Sequence, residues 1–229
     1  MPAIMRFAAA TAVAICVSLF GCSRAKPTSD VPEASSPVQA TIPHAAVKAA
    51  IGKPAPDFEL SDLEGHKVRL SQFRGHVVVL EWFNPECPFV KASHTKGSLR
   101  GLSDKYTPKG IVWLAVNSAA AGKQGHGVEA NTAGKRKFAL NHPVLIDESG
   151  DVGHLYDAQH TPHMFVIDDK GVLVYRGAID NSPDGEGESP QGGKLVNYVE
   201  TALTELAAGR PVTTAETDAY GCSVKYVTR

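Results

Sequence analysis

The chain has 229 residues and a formal net charge of −1 at pH 7, with 23 Lys and Arg residues against 24 Asp and Glu residues. Because the basic residues are scattered and balanced by acidic ones, no strong positive field attracts phosphates, and nucleic acid binding is excluded. A chain of this length accommodates one compact domain together with extra terminal segments.

The N-terminus has the pattern of an export signal. Arg6 precedes an apolar run from Phe7 to Phe20, shorter than the about 20 residues of a comfortable membrane span. The run closes on Leu19-Phe20-Gly21-Cys22, which resembles a bacterial lipobox. We therefore expect residues 1–21 to be a signal peptide and Cys22 to carry a lipid, which anchors the protein to a membrane on the periplasmic or cell-surface side. An ordinary cleaved signal and an uncleaved anchor are the alternatives, and either one exports the domain.

Composition divides the rest of the chain into three parts. Residues 22–50 are rich in Ala, Pro, Ser and Thr without apolar periodicity, which is typical of a flexible tether. Residues 51–211 are expected to form one domain, and residues 212–229 a C-terminal tail.

Apolar patterning in the domain begins with a hairpin and a buried strand. Phe58-Glu59-Leu60 and Lys67-Val68-Arg69-Leu70 flank a Glu-Gly turn, which is the pattern of a short hairpin. The near-continuous apolar run Val77–Phe83 predicts a central strand covered on both faces. Pro88 suits the first turn of a helix, and we expect that helix to continue over Phe89–Tyr106 despite two glycines.

The remaining elements alternate between strands and helices. Strands are predicted at Ile111–Val116 and Val144–Ile146, with a helix over Val128–Leu140 between them. A hairpin follows at Met164–Ile167 and Val172–Tyr175. The last helix is predicted from an apolar stripe of helical period (Leu195, Val199, Ala202, Leu203 and Leu206). This order predicts an α/β fold in which helices flank a central sheet, with the first hairpin as an N-terminal extension.

Two of the four cysteines belong to the predicted domain and tail. Cys16 lies in the signal and Cys22 would carry lipid, which leaves Cys87 and Cys222. Cys87 stands where the buried strand meets the helix that Pro88 opens, so unpaired N–H groups and the helix dipole favour a thiolate there. Such positions lower a cysteine pKa from about 8.5 towards roughly 3.5–7.5. Cys87 is therefore predicted to be a reachable nucleophile, with a buried structural cysteine as the alternative.

Four segments form a combination typical of one known family. They are Ile51–Leu60, Leu70–Gly75, the strand that leads into Cys87-Pro88, and Thr161-Pro162 ahead of a strand. Together they resemble the redoxin, or peroxiredoxin-like, branch of the thioredoxin superfamily. The resemblance covers most of residues 51–206 and implies a thioredoxin-like fold with a central mixed sheet, a thiol-dependent oxidoreductase activity and no cofactor.

The resemblance also implies roles for individual residues. Thr161 and Pro162 would form a cis-proline loop beside Cys87, whose exposed backbone pairs with an extended partner chain. A trans turn proline is the alternative. Glu81 would be the buried acid beneath the nucleophile, with a pKa that burial raises so that it relays a proton. An ordinary edge or surface glutamate is an equal alternative.

Three positions depart from the best-known patterns of this superfamily. Val90 occupies the fourth position of the Cys-x-x-Cys motif, so Cys87 has no neighbouring resolving thiol. Asn84 stands where a peroxiredoxin has a threonine, and Thr161-Pro162 stands where it has an arginine. These departures argue against efficient peroxide reduction.

Cys222 is the remaining candidate for a second thiol. The segment Ala219–Tyr226 resembles a C-terminal motif of one peroxiredoxin-like redoxin group. A mobile tail would bring Cys222 to a sulfenic acid or a mixed disulfide at Cys87. A permanent Cys87–Cys222 disulfide and an unpaired Cys222 are the alternatives.

Histidines and one loop give further expectations. His94 is predicted to be a surface residue, because seven helical residues rise about 10 Å from Cys87, too far to share a metal ion. A set of Cys87, His163 and Cys222 that binds copper or zinc is the alternative in which the protein is a non-catalytic binding module. The acidic, glycine-rich segment Asp180–Gly193 is predicted to be a solvated loop.

The sequence therefore predicts an exported thiol-dependent oxidoreductase without a metal. Cys87 would attack a protein disulfide or a peroxide, and Cys222 or an external thiol would complete the cycle. The expected partners are a thiol or disulfide protein, or a peroxide, together with the membrane that holds the lipid anchor.

Overall fold

In the computed structural model of the chain, residues 47–190 and 192–227 are described. The predicted signal peptide and the lipidated Cys22 lie outside the described residues and stay predictions. The described part of the chain contains nine strands and five α-helices. The strands are β1 (Glu59–Asp62), β2 (Lys67–Arg69), β3 (Val78–Trp82), β4 (Val112–Asn117), β5 (Val144–Ile146), β6 (His160–Thr161), β7 (His163–Ile167), β8 (Leu173–Gly177) and β9 (Cys222–Ser223). The helices are α1 (Pro88–Thr95), α2 (Leu102–Tyr106), α3 (Gly127–Lys137), α4 (Asp151–Tyr156) and α5 (Tyr198–Ala207).

Seven strands form one mixed sheet in the order β2-β1-β5-β4-β3-β7-β8, and β6 pairs with β9 in a separate ribbon. β3, β4 and β5 are parallel, whereas β7 is antiparallel to β3. The end of β3 therefore lies beside the beginning of β7, with Trp82 opposite His163. This arrangement brings together the segments that follow β3 and precede β7, which carry Cys87 and Pro162.

Side chains that alternate along β3 enter two separate cores. Leu80 and Trp82 pack on one face, where α4 contributes Tyr156. Val79 packs on the other face, where α2 and α5 contribute apolar residues such as Leu203. All five residues of β3 are buried, as the near-continuous apolar run predicts for a central strand. Helices on both faces of a mixed sheet confirm the predicted α/β architecture.

The structure differs from prediction in two helices. The single helix predicted over Phe89–Tyr106 is wrong, because α1 ends at Thr95 and α2 begins at Leu102. A Cβ at Gly97 would lie 2.2 Å from the carbonyl oxygen of Gly185, so a neighbouring segment passes directly against the backbone where the helix stops. The second difference is α4, which the sequence did not predict because its six residues are too few to show a helical period.

Both ends of the domain pack onto its body. The predicted hairpin is present, and β1 also joins the main sheet by pairing antiparallel with β5. Ala49, in the predicted tether, is buried, and its N–H donates to the carbonyl oxygen of Leu155 at 2.9 Å. Within residues 47–190 and 192–227, no helix is long and apolar enough to cross a membrane.

Candidate active site

Cys87 is the residue that caps the N-terminus of α1. Pro88 lies in the first turn of this helix, as predicted. The unpaired N–H groups of a first turn favour negative charge on a side chain at this position. The Cys87 sulfur also lies 3.0 Å from the carbonyl oxygen of Thr161, to which the protonated thiol donates. The sulfur of Cys87 is therefore positioned both by the start of its own helix and by a hydrogen bond to the Thr161 segment, which is distant in sequence.

The Thr161-Pro162 peptide bond is cis, as the family resemblance implies. Thr161 belongs to β6, which pairs antiparallel with β9 and places Thr161 opposite Cys222. As a result, Cys222 packs against the same cluster as Cys87, and the interaction between the two thiols affects the pKa of both. Both cysteines are free thiols in this structure.

The tail is fastened on both sides of Cys222. The hydroxyl of Tyr220 donates to Oδ1 of Asp180 at 2.6 Å. The ring of Tyr226 stacks on His154 with centroids 4.1 Å apart. In this structure the second thiol already lies beside the first, so the two cysteines are close together before any partner is bound.

The two thiols differ in acidity. Burial raises the pKa of Cys87, but hydrogen bonds to its sulfur, first from Cys222 and then from the N–H of Val90, outweigh burial and bring the pKa below its ordinary value of 9.0. Burial, and next the hydrogen bond with Cys87, raise the pKa of Cys222 from 9.0 to about 11. Cys87 is therefore the sulfur that is favoured as a thiolate, and Cys222 is its proton-bearing neighbour.

Access to Cys87 is closed in this conformation. The residue is 0% exposed, so the expectation that it is directly reachable from solvent is wrong here. Cys222 packs against the same apolar cluster and remains partly exposed. The segment that carries Cys222 is therefore part of the surroundings of Cys87.

Glu81 is a buried acid, which decides between the two alternatives left by the sequence. It is 0% exposed, and Nε2 of His94 lies 2.7 Å from Oε1. The indole N–H of Trp113 donates to Oε2 at 3.2 Å. His94 is buried rather than on the surface as predicted, because α1 packs back against β3 and turns this residue inward.

The pKa of Glu81 also differs from prediction. Burial alone raises the pKa of Glu81, but the charge and the hydrogen bond of His94 outweigh burial and bring it below 4.5. A lowered pKa is the opposite of the raised pKa that the sequence predicts for a proton relay at Glu81. His142 lies close to this pair, and within the described part of the chain neither of its ring nitrogens has a hydrogen-bond partner; burial lowers its pKa to about 4.

Asn84 ties the turn before Cys87 to a neighbouring loop. Its Oδ1 accepts the N–H of Glu86 at 2.9 Å, and its Nδ2 donates to the carbonyl oxygen of Gln124 at 2.9 Å. Gly125 has a φ of 76°, and a Cβ there would lie 2.1 Å from Oδ1 of Asn84. The side chain of Asn84 therefore holds the backbone around the site.

The alternative metal site is not assembled. Within the described residues, one set of three potential metal ligands has its ligand atoms within 4.8 Å of one another. It lies at the β1–β2 turn (Asp62, Glu64 and His66). Cys87, His163 and Cys222 are not such a group, and the ring of His163 instead lies against Phe165 with centroids 4.5 Å apart.

A model of the family described as Redoxin matches residues 50–192, well over half of the chain. The chain belongs to the redoxin family. Thiol-disulfide oxidoreductase ResA of Geobacillus kaustophilus is 34% identical to this redoxin over 122 residues, which are 53% of the chain and 66% of that relative. Thiol-disulfide oxidoreductase ResA of Bacillus thuringiensis subsp. konkukian is 30% identical over 130 residues, which are 56% of the chain and 69% of that relative. The chain thus spans about two thirds of the length of these relatives.

Two solved structures resemble this redoxin over most of its length. An uncharacterized conserved protein from Geobacillus kaustophilus superposes with a TM-score of 0.68 at 30% identity, over 79% of this chain and 94% of that one. A hypothetical protein from Sinorhizobium meliloti 1021 superposes with a TM-score of 0.66 at 25% identity, over 83% of this chain and 99% of that one. The matches confirm the thioredoxin-like fold and the resemblance to redoxins. Cys87 and Pro162 lie inside the range that the family model matches, and Cys222 lies beyond it.

Sequence reasoning missed the contacts that fasten the tail. Asp180 is 1% exposed and accepts the Tyr220 hydroxyl, so the prediction of a solvated loop is wrong for the beginning of the 180–193 segment. Gly185, further along this segment, accepts a hydrogen bond from the Ser93 hydroxyl of α1 at 3.3 Å. Acidic and glycine-rich composition is typical of a loop, and only the tertiary fold shows that α1 and the tail cover this one.

Proposed function

We propose that this redoxin is an exported thiol–disulfide oxidoreductase whose reactive centre is the pair Cys87 and Cys222. The observation that carries the proposal is the placement of both cysteines at the N-terminus of α1, where Thr161 pairs with Cys222 and the carbonyl oxygen of Thr161 accepts the thiol of Cys87. The names of the ResA relatives support the same class of reaction. Thr161 and Pro162 form the loop that pairs with a partner chain, and Pro88 starts the helix that polarises Cys87.

The proposed cycle consists of two thiol–disulfide exchanges. The Cys87 thiolate attacks one sulfur of a partner disulfide, so a Cys87–partner disulfide forms and the second partner sulfur leaves as a thiolate. Cys222 then loses its proton to solvent and attacks the Cys87 sulfur, which releases the first partner sulfur as a thiolate. The partner is reduced by two electrons, and the redoxin keeps a Cys87–Cys222 disulfide. Two equivalents of an external thiol, or one dithiol, then reduce this disulfide to the two free cysteines and are themselves oxidised to a disulfide.

Peroxide is the second candidate oxidant, because a thiolate beside a second thiol is also the arrangement that turns a sulfenic acid into a disulfide. The Asn84 contacts weigh against it, since this side chain is engaged with backbone around the site and the position lacks the threonine of peroxiredoxins. A permanent Cys87–Cys222 disulfide would instead resist mild reductants and show no turnover.

Cleavage of a fluorogenic disulfide peptide by the full chain tests the proposal, with dithiothreitol as the recycling thiol and hydrogen peroxide as the competing oxidant. We expect Cys87→Ser to abolish cleavage. Assayed without dithiothreitol, Cys222→Ser should stop after one turnover with the peptide held on Cys87, which intact-mass spectrometry detects. Full cleavage by Cys87→Ser would refute the proposal, and peroxide consumption faster than peptide cleavage would favour the peroxidase.

Export and lipidation form a separate part of the proposal, which depends on the signal-like residues 1–21 and on Cys22. Cells that express the full chain should incorporate a labelled fatty acid into it, and Cys22→Ser should abolish the label and release the protein from the membrane fraction. Label that persists in Cys22→Ser would refute lipidation at this residue.

A further inference from the structure

The chain's own tail lies where the family resemblance places a partner. Thr161 precedes the cis proline, and its backbone is paired antiparallel with Cys222 of β9. One step further along, the N–H of Val224 donates to the carbonyl oxygen of Gln159 at 3.0 Å. The strand positions from Gln159 to Thr161, where a partner chain would pair, are therefore already paired with the extended tail. This tail places Cys222 beside Cys87.

The residues just before Cys222 lie in a groove between α1 and Thr161, and their contacts indicate which partner residues would fit there. The ring of Tyr220 lies 6.1 Å from that of Phe89, the second residue of α1, and its hydroxyl donates to the buried carboxylate of Asp180. Gly185 leaves room for the Tyr220 ring, since a Cβ at this position would lie 3.3 Å from it. The groove thus has a place for one aromatic ring with a hydroxyl, two residues before the cysteine.

The residue between the aromatic ring and the cysteine must be small. Gly221 has a φ of 125°, and a Cβ at this position would lie 2.4 Å from the carbonyl oxygen of Thr161. Backbone approaches backbone directly here, which is a typical use of glycine. A larger residue in the same place would push the cysteine away from Cys87.

We propose that the groove between α1 and Thr161 binds partner proteins through an extended segment with tyrosine, or a similar aromatic residue, two positions before a cysteine, and that the C-terminal tail occupies this groove between turnovers. The inference rests on the proposed function, because it names the partner segment that Cys87 attacks. It also explains the buried state of Cys87, because the tail covers this residue between turnovers and leaves when a partner segment enters. Return of the tail then delivers Cys222 to the mixed disulfide and expels the partner in one movement.

Two matched peptides test the selectivity on one protein. The full chain with Cys222→Ser is mixed with acetyl-Ala-Tyr-Gly-Cys-Ser-Val or acetyl-Ala-Ala-Gly-Cys-Ser-Val, each activated at its cysteine as a thiopyridyl disulfide. Attack by Cys87 forms the peptide–Cys87 disulfide and releases thiopyridone, whose absorbance gives the rate. We expect the tyrosine peptide to react roughly tenfold faster, because it gains one aromatic contact and one hydrogen bond. Equal rates would overturn the inference.

Loosening the tail tests its occupancy of the groove. Tyr226→Ala, added to Cys222→Ser, removes the ring that stacks on His154 without changing the groove. Both peptides should then react faster, whereas Tyr198→Ala, which removes a tyrosine from α5, should leave both rates unchanged. No acceleration in the Tyr226→Ala protein would contradict occupancy by the tail. Dithiodipyridine is a small disulfide that does not need the groove, so it distinguishes failure of this inference from failure of the proposed function. If it also does not react at Cys87, the proposed function itself is wrong.

Discussion

The buried pair of Glu81 and His94 gives the sharpest test of how the site is held together. His94→Leu removes the histidine and leaves a carboxylate that is 0% exposed with Trp113 as its remaining donor. Removal of one partner from a buried ion pair costs about 3–5 kcal/mol, because the other charge stays buried without compensation. His126 and Glu148 offer a matched control, since they lie 2.8 Å apart on the surface. His126→Leu should cost about 1 kcal/mol or less.

The pH dependence of the loss has a definite sign. In the parent protein the pKa of Glu81 is below 4.5, so its contribution to stability is present above that pH and is lost as the pH falls. In His94→Leu, burial is no longer outweighed, and the pKa of Glu81 in the folded protein rises above 4.5. The folded variant then binds more protons than the unfolded one in this window, so its stability increases as the pH falls. The two stability curves should converge between pH 7 and about 4.5.

Urea unfolding followed by circular dichroism, at pH 7 and at pH 5, measures both effects. The reasoning is refuted if His94→Leu costs no more than His126→Leu at pH 7, or if its cost is the same at both pH values. Either result would show that Glu81 is not held as a buried anion by His94.

Three further predictions concern the thiols, a buried base and the tail. Cys222→Ala should raise the pKa of Cys87 because it removes a hydrogen-bond donor, whereas Cys222→Ser keeps a donor and should raise it less; thiolate absorbance against pH measures both. Burial lowers the pKa of His142 to about 4, so on acidification the unfolded chain takes up a proton before the folded protein does, and stability falls between pH 6.5 and 4. His142→Leu should abolish this fall, which amounts to roughly 3 kcal/mol at most. Urea unfolding at several pH values measures it. Gly153→Ala places a Cβ 2.3 Å from the Tyr226 hydroxyl, so it should displace the tail and speed alkylation of Cys87 by iodoacetamide; an unchanged rate would contradict this.

The fold was predictable wherever one segment carried its own periodic signal. The buried run in β3 and the short strand Val144–Ile146 stand where their apolar patterns indicate. The helix over Phe89–Tyr106 was not predictable, because its break depends on the contact between Gly97 and Gly185. These two glycines are distant in sequence, and nothing near Gly97 distinguishes a tolerated helical glycine from a crossing point.

The candidate site divides in the same way. A cysteine followed by a proline after a buried strand indicates an N-cap thiol, and this reading needs no tertiary information. The partners that set the charge of Glu81 and hold the tail come from other elements, as His94 and Tyr220 show. The helical rise predicts a separation of His94 from Cys87, but it does not indicate that His94 turns inward onto Glu81.

Pairing of Glu81 with His94 leaves the control of acidity to the two cysteines. Both oxygens of Glu81 already accept N–H donors, so the carboxylate has little tendency to take a proton from either thiol. Cys222 holds its proton in the resting state because of burial and because of its hydrogen bond and charge interaction with Cys87. When Cys87 forms a mixed disulfide its sulfur becomes neutral, and the displaced tail is no longer buried in the groove. Both causes of the raised Cys222 pKa then disappear, so Cys222 becomes a better nucleophile only after Cys87 has captured a partner.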